Sequence, residues 1–311
     1  MNIVNYILRL LIAATFFFSG ITKLYPIEPF ELTLIDMGIS GWSFSPILAR
    51  MLVGAELFLG FSILINTTYL RQYLNATLIV TGFFSFYLLL LWAFRGNDVN
   101  CGCFGTVISM SPAESLMKNA VLMVLIAAAL KTKPHFEKKY NWIHPVVAII
   151  TLVVPFVLNV VEFERRNPDS NEYPFAFPEH HLAQSYQDSV DVSLAEGEYL
   201  LAFFSTGCSH CKVAAQKLGI VSRKYKIPPV KVFFIGSHRE VAGFFKESNA
   251  SFDYVLFNNQ AIHKITNGTF PTVFYVQDGQ VIRQWTGGDL SYNEMGILHK
   301  TLNSDIKDAR R

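Results

Sequence analysis

The chain has 311 residues, enough for two domains with separate cores, and 51% of them are hydrophobic against 16% charged. So apolar a composition excludes an ordinary soluble protein, and a net charge of +2 without a long basic block gives no electrostatic footprint for nucleic acid. Its four cysteines fall into two close pairs, Cys101 with Cys103 and Cys208 with Cys211, which points to redox chemistry or metal binding rather than a structural disulfide framework.

Apolar runs crowd into the first half. Five of them, over 3–22, 46–65, 73–94, 112–130 and 143–161, have the length to cross a bilayer core as helices. The first lacks basic residues ahead of its apolar run and a small-x-small cleavage site, so it is read as a retained span. The fourth carries Glu114 and Lys118 in its first turns, yet Ser111-Pro112-Ala113-Glu114 combines a capping box with proline at the first helical position.

Arg9 in the first span and Glu56 in the second are ionisable groups at membrane depth, costly unless paired or functional. Helix rise places them within about 7 Å in depth on neighbouring antiparallel helices. The expectation is a salt bridge between them or a role in proton transfer. Lys23 and Arg50 are expected near the outer interface, snorkelling to lipid headgroups or touching a quinone ring oxygen. The aromatic run Phe83, Phe84, Phe86, Tyr87 and Trp92 either lines a quinone pocket or is lipid-facing filler.

The segment from Lys131 to Lys139 carries four lysines between spans four and five and is assigned to the cytoplasm. Parity then puts the Cys101 loop, and everything after span five, outside. The loop between spans one and two, with Glu28, Glu31 and Asp36 against Lys23, is compatible with an outer position. From 162 to 184 the composition turns polar and is punctuated by Pro168, Pro174 and Pro178, which reads as a linker.

Beyond it the pattern alternates strands and helices: a strand over 199–205, a helix over 208–224, a strand over 230–236 and a helix over 239–246. A hairpin over 272–276 and 281–285, turning at Asp278-Gly279, and a helix over 292–303 complete it. That order implies an α/β sandwich around a mixed sheet.

A thiol attacks a disulfide only as thiolate, and the unpaired N–H groups and dipole at a helix start stabilise that anion. Cys208 is therefore expected to be the nucleophile, with Cys211 one turn later resolving the mixed disulfide. A charged His210 would add to the thiolate's stability and make the oxidised pair a better oxidant. Zinc is the competing reading for Cys-x-x-Cys, but it needs two further ligands and no second Cys-x-x-Cys exists. A structural disulfide is the remaining alternative. A bond between Cys101 and Cys103 would close a small, strained ring and be labile and oxidising. Against that stand two reduced thiols packed beside the bundle, or copper ligands together with His180 or His181.

The region 185–311 resembles the thioredoxin-like family. The resemblance rests on a strand leading into Gly207-Cys208-Ser209-His210-Cys211, on Thr269-Phe270-Pro271-Thr272 opening the later hairpin where that family has its cis-proline, and on the turns at Asp278-Gly279 and Gly287-Gly288. Gly207 stands where many members carry tryptophan. Residues 1–130 resemble the DoxX-like superfamily and, within it, the MauE-like (methylamine-utilisation protein E) family. That likeness is carried by Leu8-Arg9-Leu10, Ser19-Gly20-Ile21-Thr22-Lys23, Arg50, Gly54-Ala55-Glu56 and, most specifically, Asn100-Cys101-Gly102-Cys103-Phe104-Gly105. The resemblance implies a four-helix bundle in extracytoplasmic redox metabolism, here followed by a fifth transmembrane helix (131–161 with its basic loop) and fused to the thioredoxin-like partner that is separate in the family.

The expectation is an inner-membrane thiol–disulfide oxidoreductase with its α/β domain on the periplasmic side. Cys208 and Cys211 would exchange electrons with extracytoplasmic protein thiols and with Cys101 and Cys103, in the oxidising direction, with a quinone-like acceptor. The alternatives are a disulfide reductase driven by another partner, or a non-enzymatic membrane scaffold or metallochaperone.

Overall fold

The computed structural model describes residues 3–65, 67–105, 108–132, 141–161, 173–180, 194, 196–257 and 259–290. The chain divides into two compact units, 1–161 and 162–311.

The first unit is helical: α1 Ile3–Leu24, α2 Glu28–Asp36, α3 Ser45–Leu64, α4 Leu70–Arg95, α5 Pro112–Lys131 and α6 Ile143–Leu158. Four of these, α1, α3, α4 and α5, are long and apolar enough to cross a membrane. α6 has 16 residues, a length of about 24 Å at 1.5 Å per residue, and so is shorter than the fifth span expected from hydropathy. The short helix α2 was not anticipated, because its sequence mixes acidic and apolar residues without a spanning run; it buries Phe30, Leu32, Leu34 and Ile35.

Glycine allows the helices to approach closely, as small residues do where lipid removes any hydrophobic drive for association. A Cβ on Gly20 would stand 2.9 Å from Leu57 on α3, and one on Gly54 would stand 2.8 Å from the Thr151 carbonyl on α6. The expected capping box of α5 is present: the Ser111 side chain accepts from the Glu114 N–H, and the Glu114 carboxylate accepts from the Ser111 N–H.

α6 runs from one end of the bundle to the other. Its first turn places His144 against Ser62 and Thr67, at the end where α3 finishes and α4 begins. Asn159, just past its last turn, donates to the Leu24 carbonyl, while its own carbonyl accepts from Arg50. The chain therefore leaves the bundle at the end where α1 finishes.

In the second unit, β1 Phe175–Ala176, β2 Glu198–Ser205, β3 Val230–Ile235, β4 Tyr254–Leu256, β5 Thr272–Gln277 and β6 Gln280–Thr286 form one sheet in the order β1-β6-β5-β2-β3-β4. β2, β3 and β4 are parallel, whereas β5 and β6 are antiparallel to their neighbours. Helices α7 Ser209–Lys224, α8 His238–Ser248 and α9 Asn259–Thr266 connect the strands. β2 is buried on both faces, which explains its unbroken apolar run from Leu200 to Phe204. Phe203 stacks on Phe233 on one side, and Phe204 packs with Phe234 and Phe244 on the other. The two-residue β1, β4 and α9 escaped the sequence reading; short elements carry too few residues to show a period. The helix expected over 292–303, most of the 131–139 loop and most of the linker lie outside the described residues.

Candidate functional site

In the α/β unit, β2 ends at Ser205, and after Thr206 and Gly207 the chain reaches Cys208, which caps α7. The cap is made by sulfur: the backbone N–H of Cys211 donates to Cys208 Sγ at 3.3 Å. Cys211 is fully buried, Cys208 is half-buried, and His210 is exposed. Nothing lies within 4 Å of where a Gly207 side chain would begin, so the approach to Cys208 is not covered from that residue.

The environments split the two thiols. The hydrogen bond from the Cys211 thiol, followed by the backbone N–H groups of Cys211 and His210 and the His210 ring, brings Cys208 down to about 6 against the opposing effect of burial. Burial first, then the bond to Cys208, pushes Cys211 well above the ordinary thiol range. The peptide before Pro271 is cis, as the resemblance to the thioredoxin-like family implies. Thr272 pairs with Phe203, so the register sets Pro271 beside the end of β2 that leads to Cys208.

The other pair sits in the loop between α4 and α5, packed onto the bundle. Gly102, at φ +67°, makes the turn between the two cysteines, and its N–H donates to Asn100 Oδ1. Gly105, at φ +59°, lies so close to α1 that an added Cβ would stand 2.3 Å from the Thr22 carbonyl. Ser19 donates to the Cys103 carbonyl at 3.2 Å, and Ser115 on α5 stands 2.9 Å from Cys101 Sγ. Phe104 packs edge-on against Phe18 and lies under the Lys118 ammonium.

Here too the thiols differ. Cys101 is buried and Cys103 half-buried. The hydrogen bond from Cys101, aided by the charges of Lys118 and Lys23, brings Cys103 down to about 6 although burial opposes it. That same bond and then burial push Cys101 far above the thiol range. All four cysteines are free thiols in this structure.

Both cysteines line a cavity of about 480 Å³ inside the bundle, together with Lys23, Glu56, Tyr87 and Lys118. Of the aromatic run, Phe83, Phe84 and Tyr87 line it, whereas Phe86 and Trp92 do not and are exposed.

Four ionisable residues are not where the sequence placed them. Arg9 does not pair with Glu56; it donates to the carbonyls of Ile63 and Leu64 at the end of α3. The contacts of Gly20 with Leu57 and of Gly60 with Phe17 fix the register of α1 and α3, and it sets Glu56 against the far part of α1. Glu56 instead binds Lys23 at 2.5 Å. Lys23 and Arg50 do not snorkel: both are buried, Arg50 in an ion pair with Glu31 at 2.6 Å and bound to the Asn159 carbonyl. Burying a charge is cheaper than exposing it to lipid once a counter-charge is within reach. Ser19, Ser115 and Lys118 were not singled out as site residues; spacing on their helices gives no sign that a loop folds back on them. Among the described residues no cluster of three or more His, Cys, Asp or Glu is arranged to hold a metal ion, His180 is exposed, and His181 lies outside the described residues.

An α/β unit of thioredoxin-like fold, with a lowered thiol capping its helix and a buried partner one turn on, defines the framework of a thiol–disulfide oxidoreductase, here joined to a membrane helix bundle. Comparison adds a likeness for that bundle: residues 1–132 match the sequence model of the methylamine utilisation protein MauE family. The whole chain is 24% identical to Protein TlpB of Flavobacterium psychrophilum over 333 positions, covering 91% of each protein. Among solved structures, 40% of the chain aligns with 98% of a secreted Mycobacterium tuberculosis disulfide oxidoreductase homologous to E. coli DsbE, at 13% identity and TM-score 0.32. StoA from Bacillus subtilis aligns over 42% of this chain and 98% of its own, at 15% identity and TM-score 0.30.

Proposed function

We propose that this protein is a membrane-anchored disulfide relay: Cys208 and Cys211 take electrons from extracytoplasmic protein thiols and pass them to Cys101 and Cys103, which pass them to a quinone-like acceptor. The observation that carries this reading is that both pairs have the same polarity. Each has one half-buried thiol lowered to about 6, Cys208 or Cys103, and one buried thiol raised, Cys211 or Cys101. The lowered thiol of such a pair attacks a disulfide, and the raised one resolves the product while it stays protected from side reactions.

Disulfide transfer from one pair to the other moves two electrons and two protons and needs no cofactor. The Cys208 thiolate attacks the Cys101–Cys103 disulfide, and Cys211 then displaces the bundle sulfur, leaving Cys101 and Cys103 as thiols. The relay needs both pairs on one side of the membrane, and the course of the helices in the bundle supports that. The chain leaves the bundle where α1 finishes, the same end that carries the Cys101 loop, while the lysine-rich segment begins at the opposite end. The sign of that segment supports the reading in which the cysteine end faces the periplasm of a bacterial inner membrane. No cysteine lies at the lysine end, so thiol exchange cannot carry reducing equivalents outward across the bundle.

The test is the redox state of Cys208 and Cys211 in cells carrying Cys101→Ser with Cys103→Ser. The relay predicts that the soluble pair accumulates in the reduced form. A shift toward the oxidised form would reverse the direction, and no change would mean that the pairs do not communicate.

A further inference from the structure

The cavity beside Cys101 and Cys103 has three properties that together describe its occupant. At about 480 Å³ it lies within the range of roughly 300–1,000 Å³ usual for small-molecule sites. It reaches the lipid-facing surface, because Ile79 and Phe83 of α4 both line it and are 72% and 67% exposed. Its walls are apolar apart from a few groups, and among these Glu56 is incomplete: Oε1 binds Lys23, whereas Oε2 is buried with no hydrogen-bond partner among the described residues. A buried carboxylate oxygen without a donor is a costly arrangement that a ligand hydroxyl would relieve. The Lys23 ammonium, also bonded to Ser19 Oγ at 2.9 Å, is tied to the cysteine loop, since Ser19 donates to the Cys103 carbonyl.

We propose that this cavity is a quinone site entered from the lipid, in which Lys23 donates to a ring oxygen and Glu56 Oε2 accepts from the hydroxyl of the hydroquinone product. The inference rests on the reading of Cys101 and Cys103 as an electron-carrying pair and names the acceptor's site and its polar contacts. The Cys103 thiolate adds to a ring carbon. Cys101 sulfur then attacks Cys103 Sγ, so that the S–S bond forms as the C–S bond breaks and its electron pair remains with the ring. The Cys101 proton goes to one ring oxygen, and Lys23 supplies the proton for the other. That second proton equals the one Cys103 lost on becoming a thiolate, so the two thiols account for both electrons and, in sum, both protons.

The experiment uses the full-length protein in lipid nanodiscs, fully reduced and freed of reductant, with ubiquinone-1 and menaquinone-1 as probes. One equivalent of either quinone is expected to be reduced for each disulfide formed, two in all when Cys208 and Cys211 feed Cys101 and Cys103, read by absorbance and by mass of the alkylated peptides. Lys23→Met is expected to raise the half-saturating quinone concentration about tenfold or more, as loss of a charge-assisted hydrogen bond does, and Lys23→Arg to restore part of it. Because Lys23→Met strands a buried carboxylate and can impair folding, a photoreactive azidoquinone on the unaltered protein provides the second measurement. Labelling of α1, α2 and α4 peptides that ubiquinone-1 competes away supports the site. Labelling elsewhere, labelling that does not compete, or four cysteines that stay reduced in excess quinone overturns it. If quinone oxidises Cys101 and Cys103 while Cys208 and Cys211 stay reduced, the site stands and the relay between the pairs falls.

Discussion

Four sulfurs differ from one another through the donors around them, and that difference has measurable consequences. A free cysteine titrates near pH 8.5, whereas Cys208 is lowered to about 6 by donors that bind the thiolate. Alkylation of Cys208 by iodoacetamide should therefore rise with a midpoint near pH 6 and be flat above pH 7. A midpoint near the ordinary value would remove the basis for calling it the attacking thiol. The sign of the linked stability follows: a lowered acid stabilises the reduced fold fully above its unfolded value, and that contribution is lost as pH falls through about 6. Cys211 is buried and raised, so it can only follow. Cys211→Ser should accordingly trap mixed disulfides with client proteins through Cys208, and Cys208→Ser should trap none. Equal trapping by both variants would refute the order of the two thiols.

Among the elements, the loop between α4 and α5 is held by a close backbone approach as well as by side chains. Gly105 has a left-handed φ and touches the Thr22 carbonyl, a position where any side chain meets both backbone strain and collision. Gly105→Ala should lift the loop from α1, loosening the Ser19 bond to Cys103 and drawing Lys23 away from it. The readout is the pH profile of Cys103 alkylation, whose midpoint should move upward while that of Cys208 stays. An unmoved Cys103 profile would mean that the loop does not depend on this contact. The capping box of α5 fixes the other side, since Ser115 and Lys118 follow it within the first two turns.

For the molecule as a whole, the proposed topology turns on α6, whose crossing would bring the chain after it to the side of the Cys101 loop. Although it is only about 24 Å long, its ends contact opposite ends of the bundle, His144 at one and Asn159 at the other. Both pairs should therefore be reachable from outside the cell membrane. A membrane-impermeant maleimide should label reduced Cys103 and Cys208 on intact spheroplasts. Protection of either thiol until lysis would show that the crossing count is wrong.

The sequence by itself determined what depends on local pattern: four long apolar helices, the capped start of α5, the alternating strands and helices of the second unit, and Cys208 at the head of a helix. Each of these is written in hydrophobic period, capping chemistry or residue spacing, which neighbours in the chain supply. Tertiary structure alone decided which distant groups meet. The pairing of Glu56 with Lys23 rather than Arg9, and of Arg50 with Glu31, depends on the register of α1 against α3 and on the fold-back of α2. That register is set by glycine contacts whose partners lie some forty residues away in sequence. The cavity is of the same kind. Its lining comes from α1 to α5 and from the cysteine loop, and no segment read singly contains a void. Periodicity states which face of a helix is apolar, but only packing states what that face is turned toward.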